Sequence, residues 1–340
     1  MEEKEKKRFR LNIHMVLIAV VITCIAVIFF KFKNWGISLD HDDLFQNGDG
    51  AYVDNYDSNF PLRDEEGDAI PLKTSDGLHV VLFGNYPFSD DRNSEDGLAN
   101  LIAAMAEERL KGSGTDVTVY NCSIGGSYVA AERPQFTTAQ PWDAFSPYWM
   151  SLMTTDISTD DYYGAAVTAL GEEVPNEIKE VRKTLSEIDF DKVDVIAILY
   201  DGTDYLLGRP ISDSPDHTEI QQFIPHLSAA LDILLENHPD VRIIVLSPTY
   251  AFSDQLDENG DYVSSDIHVY GESRQTLSRY AIQEYHLCAE KGVTFIDNIY
   301  GTFNEDEAKD YLTDNLHLNV EGRRKVAERL VSALFYYGTR

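Results

Sequence analysis

Cysteine is nearly absent, with three residues in the chain, so the disulfide framework that staples small secreted domains is excluded. Cys24 falls inside an apolar run, which leaves Cys122 and Cys288 as one disulfide or as two buried thiols. Basic side chains are also scarce: 28 Lys and Arg stand against 58 Asp and Glu, a net charge of -30. Such a surface repels phosphate backbones over a Debye length, and nucleic acid is not an expected partner. A glycine-rich phosphate loop is missing, and no His, Cys, Asp or Glu group has metal-ligand spacing. The acidic turns "NGDG" (Asn47 to Gly50) and "DENGDY" (Asp257 to Tyr262) lack the full calcium-loop pattern and read as exposed turns. No cofactor is expected.

One long hydrophobic run is present. The head "MEEKEKKRFR" (1–10) carries clustered Lys and Arg, and Leu11 to Phe30 follows almost without polar interruption. About 20 residues at about 1.5 Å each span roughly 30 Å, the thickness of a bilayer's hydrocarbon core. The run ends in "FFKFKNWG" with no small-x-small cleavage pattern, so an uncleaved anchor is expected rather than a signal peptide. Positive charge before the span and an acidic stretch after it orient the N-terminus to the cytoplasm and the rest of the chain outside the plasma membrane. Residues 31–76 are acidic and turn-rich without sustained periodicity, the pattern of a spacer.

From residue 77 to 340 the pattern changes to short β-branched runs alternating with amphipathic, helix-length segments. Five strands are predicted: Leu78 to Gly84, Asp116 to Cys122, Val193 to Tyr200, Val241 to Pro248 and Gly292 to Asn298. Helices are predicted over 94–112, 176–188, 218–238, 272–292 and 319–338, where apolar residues recur three and four apart. Such alternation implies one α/β domain, a three-layer doubly wound parallel sheet of five strands in the flavodoxin-like manner. Ligands then bind beyond the carboxyl ends of the strands.

Four loops fall at that end: "GNYPFSDDR" (84–92), "NCSIGGSY" (121–128), "YDGTDYLLGRP" (200–210) and "YLTDNLHLNVEGRR" (311–324). In the last, Asp314 and His317 let one short loop supply an imidazole and a carboxylate that fixes its tautomer. Between the second and third strands lies "RPQFTTAQPWDAFSPYWM", whose Trp142, Tyr148 and Trp149 suit either sugar stacking or packing over the sheet. The few cations near the loops, Arg92 and Arg209, are expected to pair with Asp90, Asp91 or Asp204.

The block "TDNLHLNVEGRRKVAERL" resembles the terminal block of the SGNH (GDSL-type) hydrolases, in which Asp-x-x-His precedes the closing helix. "NCSIGGSY" resembles that family's second block, with Gly126 where a backbone N–H serves as an oxyanion donor. The resemblance runs from Leu78 to the C-terminus and implies an ester hydrolase or acyl transferase. Two departures stand out. The family's Gly-Asp-Ser is Gly84-Asn85-Tyr86 here, so Tyr86 stands where the attacking serine belongs. The Gly-x-Asn-Asp block aligns with Asp201-Gly202-Thr203-Asp204, with Thr203 in place of the amide that stabilises the oxyanion.

Three routes around the missing serine follow. Ser89 attacks with His317 as base and Asp314 as orienter; or Ser123 or Ser127 attacks; or His317 activates water while the Tyr86 hydroxyl donates to the oxyanion. Tyr86 suits equally a sugar platform or a plug filling the old pocket. The expected function is a membrane-anchored exterior esterase or acyl transferase acting on an acylated envelope glycan or a related small ester. The alternative is an inactive module of the same fold that binds glycan or a partner protein in surface assembly.

Overall fold

A computed structural model describes residues 56–63, 68–70, 72, 77–133, 135–155, 160–171, 174–212, 219–271 and 274–336. The expected cytoplasmic head, the 11–30 anchor and most of the 31–76 spacer lie outside the described residues. Among the described residues no helix is long and apolar enough to cross a membrane.

Five strands, β1 (Leu78–Gly84), β2 (Val117–Asn121), β3 (Val195–Leu199), β4 (Arg242–Leu246) and β7 (Thr294–Ile296), form a parallel sheet in the order β2-β1-β3-β4-β7. A separate antiparallel hairpin joins β5 (Phe252–Leu256) to β6 (Tyr262–Ser264). The five strands lie where the hydrophobic runs place them. Every residue of β3 and β4 is buried, as expected of a parallel sheet covered on both faces, where near-continuous apolar runs replace alternation. The helices Leu98–Arg109 and Val320–Leu334 pack on each other, as do Pro147–Leu152, Phe223–Asn237 and Leu277–Lys291, giving the three layers.

The sequence order turns at β1, which sits between β2 and β3. That is the switch point where the loops part and a crevice opens. Gly84 ends β1 against β3 so closely that a Cβ there would lie 2.0 Å from the Leu199 carbonyl oxygen. The turn after β1 is thereby held over the end of β3.

Part of the stretch expected as a spacer is instead bound to the domain. Ser58 forms an antiparallel bridge with Phe295, Tyr56 N–H donates to Asp297 Oδ2 at 3.0 Å, and Arg329 contacts Asp57 at 2.6 Å. The physical reason is the exposed ladder of β7, an edge strand that residues 56–60 cover. The polar side chains Asp57 and Ser58 make these segments read as spacer, because the pairing uses backbone groups that composition does not reveal. Cys122 and Cys288 are both buried free thiols.

Candidate active site

The loop from Leu312 to Leu318 is closed on itself. Leu312 and Leu318 form an antiparallel bridge, and Thr313 N–H donates to the His317 carbonyl at 2.8 Å. Asn319 then caps the final helix, its side chain accepting from Gly322 N–H at 3.0 Å. Within this frame Asp314 Oδ1 accepts the backbone N–H groups of Leu316 and His317, both at 2.8 Å, while Oδ2 lies 2.7 Å from His317 Nδ1. Burial works to raise the Asp314 carboxyl, but the bonds from His317 and Leu316 outweigh it and hold the group below its ordinary value. Asp314 is therefore a charged, fixed acceptor for Nδ1–H, and the lone pair of Nε2 is left to face outward. Among the described residues no group hydrogen-bonds Nε2.

Across from this loop, Tyr86 opens the short helical turn Tyr86–Ser89 directly after β1. Its ring stands at 79° to the imidazole of His317, with centroids 4.6 Å apart. The Tyr86 hydroxyl lies 3.3 Å from the point where a Cβ on Gly126 would sit, and the Trp142 indole lies 3.7 Å from that point. Gly126 has φ +79°, a left-handed conformation glycine adopts without strain, and the close tyrosine adds a second reason for a residue with no side chain. Burial, then Asp201, Asp90 and Glu177, raise the Tyr86 hydroxyl above its ordinary value, so it remains a donor.

Asn85 is fully buried and serves the scaffold. Its amide donates to Asp201 Oδ1 at 2.7 Å and to the Ser127 carbonyl at 3.0 Å, and its Oδ1 accepts from Asp201 N–H at 2.9 Å. Thr203 likewise gives its hydroxyl and N–H to Asp201 Oδ1, at 2.6 and 3.0 Å, so that hydroxyl is engaged away from Gly126. Asp204 grips the glycine loop instead: its two oxygens accept from Val129 and Ala130 N–H, both at 2.8 Å. Burial pushes Asp204 up to about 6 against those two bonds.

Ser89 is brought to Gly125, its Oγ 2.8 Å from the position of a Cβ there, and makes no hydrogen bond with His317. Ser123 and Ser127 are buried, their hydroxyls held by Asn121 Oδ1 and the Ile124 carbonyl. The structure thus brings together Tyr86, Gly126, Asp314 and His317. It sets Ser89, Asn85, Thr203 and Asp204 into the walls. Arg92 pairs with neither Asp90 nor Asp91; it donates to the carbonyls of Asn121 and Ser123, because the loop folds it back along the end of β2. Arg209 reaches Glu132 at 3.6 Å.

Three contributors escaped the reading of the sequence. Glu177, on the helix Asn176–Glu187, accepts Gly125 N–H at 2.8 Å from a point 52 residues away. Arg323, in the final helix, is buried and donates to Asp91 Oδ2 at 2.7 Å, to the Asp96 carbonyl at 2.9 Å and to the Leu318 carbonyl at 3.0 Å, tying the β1 turn to the histidine loop. Asp90 lines the hollow of about 410 Å³ that also exposes Thr313, His317 and Asn319. Its signal was the doublet in "FSDDR". Among the described residues no group of three or more potential metal ligands converges. A second hollow of about 360 Å³ lies at the amino ends of β1, β3 and β4, beside Gly77, Asp194 and Val241, the end of a parallel sheet that does not carry chemistry.

The sheet order, with the histidine–aspartate loop before the last helix facing the turn after β1, is a doubly wound α/β arrangement similar to that of SGNH-type hydrolases, with differences in the first and third blocks. Similar solved structures include a GDSL-like lipase from Parabacteroides merdae, at 15% identity and TM-score 0.45, covering 78% of this chain and 99% of that one. An acetyl xylan esterase is similar at 15% identity and TM-score 0.42, over 75% and 99% of the two chains. A salicylyl-acyltransferase from a tetracycline biosynthetic pathway is similar at 14% identity and TM-score 0.38, over 76% and 54%. Likeness at this level carries no argument about activity or substrate. No family model and no curated protein matches the sequence.

Proposed function

We propose that the domain hydrolyses esters by direct attack of water, with no serine acyl-enzyme. The observation that carries this reading is the intact dyad: Asp314 lies 2.7 Å from His317 Nδ1, and among the described residues Nε2 has no hydrogen-bond partner. Nε2 accepts the proton of a water as it attacks the ester carbonyl. The Tyr86 hydroxyl lies 3.3 Å from where a Cβ on Gly126 would sit, and in this reading that hydroxyl and the Gly126 N–H donate to the charge that develops on the carbonyl oxygen. Trp142 lies 3.7 Å from where a Cβ on Gly126 would sit, and in this reading it limits the acyl group to a small one such as acetyl. A glycan bearing that acyl, held at the outer face of the membrane through residues 11–30, is the substrate this reading favours. Acyl transfer to a sugar hydroxyl in place of water would use the same groups.

One observation favours a second reading. The Tyr86 ring stands between His317 and Gly126, and if it never moves aside the crevice is plugged and the domain is a glycan- or protein-binding module. The full chain, incubated with a fluorophosphonate probe and separately with phenyl acetate, decides. Turnover without labelling supports water attack, labelling at Ser89 replaces it by a covalent route, and an inert chain supports the binding module.

A further inference from the structure

Asp90 and Asp91 are adjacent in sequence but have been driven apart in use. Asp91 adopts φ +51°, a conformation uncommon for a residue with a side chain, and turns its carboxylate to buried Arg323, at 2.7 Å. Arg323 makes its ion pair with Asp91 and acts on Asp90 only through space. The Asp90 backbone N–H closes the helical turn on the Tyr86 carbonyl at 2.9 Å, and its half-buried side chain lines the same hollow as His317. Among the described residues its carboxyl has neither a hydrogen bond nor an ion pair, although His317 is close enough to act on it electrostatically. Asp90 and His317 thus line one hollow of about 410 Å³, with no hydrogen bond between them.

We propose that Asp90 is the general acid of the reaction, protonating the departing alkoxide while His317 takes the proton of the attacking water; this rests on the ester-hydrolase reading above. Water oxygen bonds to the carbonyl carbon, its proton passes to His317 Nε2, and the carbonyl electron pair moves to the oxyanion. On collapse that pair returns, the carbon–alkoxide bond breaks, and the alkoxide takes the proton of the Asp90 carboxyl. The products are acid and alcohol; His317 releases its proton to solvent, and Asp90 regains one.

The surroundings keep that proton available. Burial, then Asp201 and Asp91, raise the carboxyl, while His317 and Arg323 pull it down; it is pushed up to about 6. Asp90 in turn acts electrostatically on the Tyr86 hydroxyl. An acid of this kind matters only when the leaving group is a strong base. An O-acetylated methyl glycoside needs the proton, whereas 4-nitrophenyl acetate expels a stable anion without it.

The test compares Asp90→Asn with the wild-type full chain on both esters, with kcat measured across pH. Expected is a fall of about 10²- to 10⁴-fold on the glycoside ester, at least tenfold larger than the fall on the nitrophenyl ester, with Asp90→Glu recovering part of the difference. Equal falls on the two esters, or no fall, would overturn the assignment of Asp90 and leave His317-dependent hydrolysis standing. A wild-type chain inert on both would overturn the hydrolase reading and this assignment with it. If Asp90→Asn does not fold, the wild-type ratio of glycoside to nitrophenyl rate decides: a fall as pH rises through about 6 supports the acid, and a flat ratio overturns it.

Discussion

Asp314→Asn is the substitution whose effect follows most fully from the geometry. The asparagine oxygen can keep the position of Oδ1, accepting from Leu316 and His317 N–H, both at 2.8 Å. Its NH₂ must then replace Oδ2, the atom 2.7 Å from His317 Nδ1. The reverse rotamer would point NH₂ at two N–H donors, so it is excluded. Facing a donor, the imidazole takes the tautomer with a lone pair on Nδ1 and the proton on Nε2, and it can no longer accept a proton from water. The wrong tautomer at a dyad of this kind costs about 10⁴ in kcat, or about 5.4 kcal/mol at about 1.36 kcal/mol per decade. Stability should barely follow, because the two side chains are 32% and 40% exposed and a pair that open to solvent is worth at most about 1 kcal/mol. Initial rates on phenyl acetate, taken beside a thermal melt, give both numbers. A variant that folds and keeps more than a tenth of wild-type kcat would refute the assignment of His317 as base.

Tyr86→Phe removes the hydroxyl beside Gly126 and keeps the ring; the expected loss is about 10²- to 10³-fold in kcat with KM little changed, and an unchanged kcat would show that the ring only packs. Gly84→Ala sets a methyl 2.0 Å from the Leu199 oxygen, so urea unfolding should show a loss of about 3 kcal/mol or more, and an unmoved midpoint would contradict the close approach of β1 and β3. Glu284, fully buried on the helix Leu277–Lys291, has its carboxyl raised well above the ordinary value by burial. Unfolded chains release that proton near the ordinary carboxyl range while the fold retains it, so wild-type stability is lost as pH rises above about 4.5. The melting-temperature advantage of Glu284→Gln should therefore grow between pH 4.5 and 7.5, and a constant difference would show that Glu284 is ionised in the fold.

Much of the sheet was legible because a parallel strand buried on both faces must be a short apolar run, as Val195–Leu199 is. The dyad was legible for a different reason: Asp314 and His317 are three apart, and a closed loop brings such a pair together through local bonds alone. Other parts depend on long-range partners. Nothing near Asn85 in the chain announces that it will bond Asp201, 116 residues on, and the role of Glu177 at Gly125 is set by how a distant helix docks. The pairing of residues 56–60 with β7 uses backbone groups, so their acidic, turn-rich composition pointed away from it. Nothing in the sequence around Arg323 marks it as buried and joined to Asp91; packing alone does that. Asp90 and Asp91 read as equals in sequence and were separated by that ion pair.

The most direct measurement is the ratio of phenyl acetate hydrolysis rates between the full wild-type chain and His317→Ala, matched for concentration and for intact folding by melting. A hundredfold or larger ratio is expected, since in the proposed reaction His317 Nε2 takes the proton from water. Equal rates, or no turnover by the wild-type chain above buffer, would contradict the assignment of a hydrolytic site at the carboxyl end of this sheet.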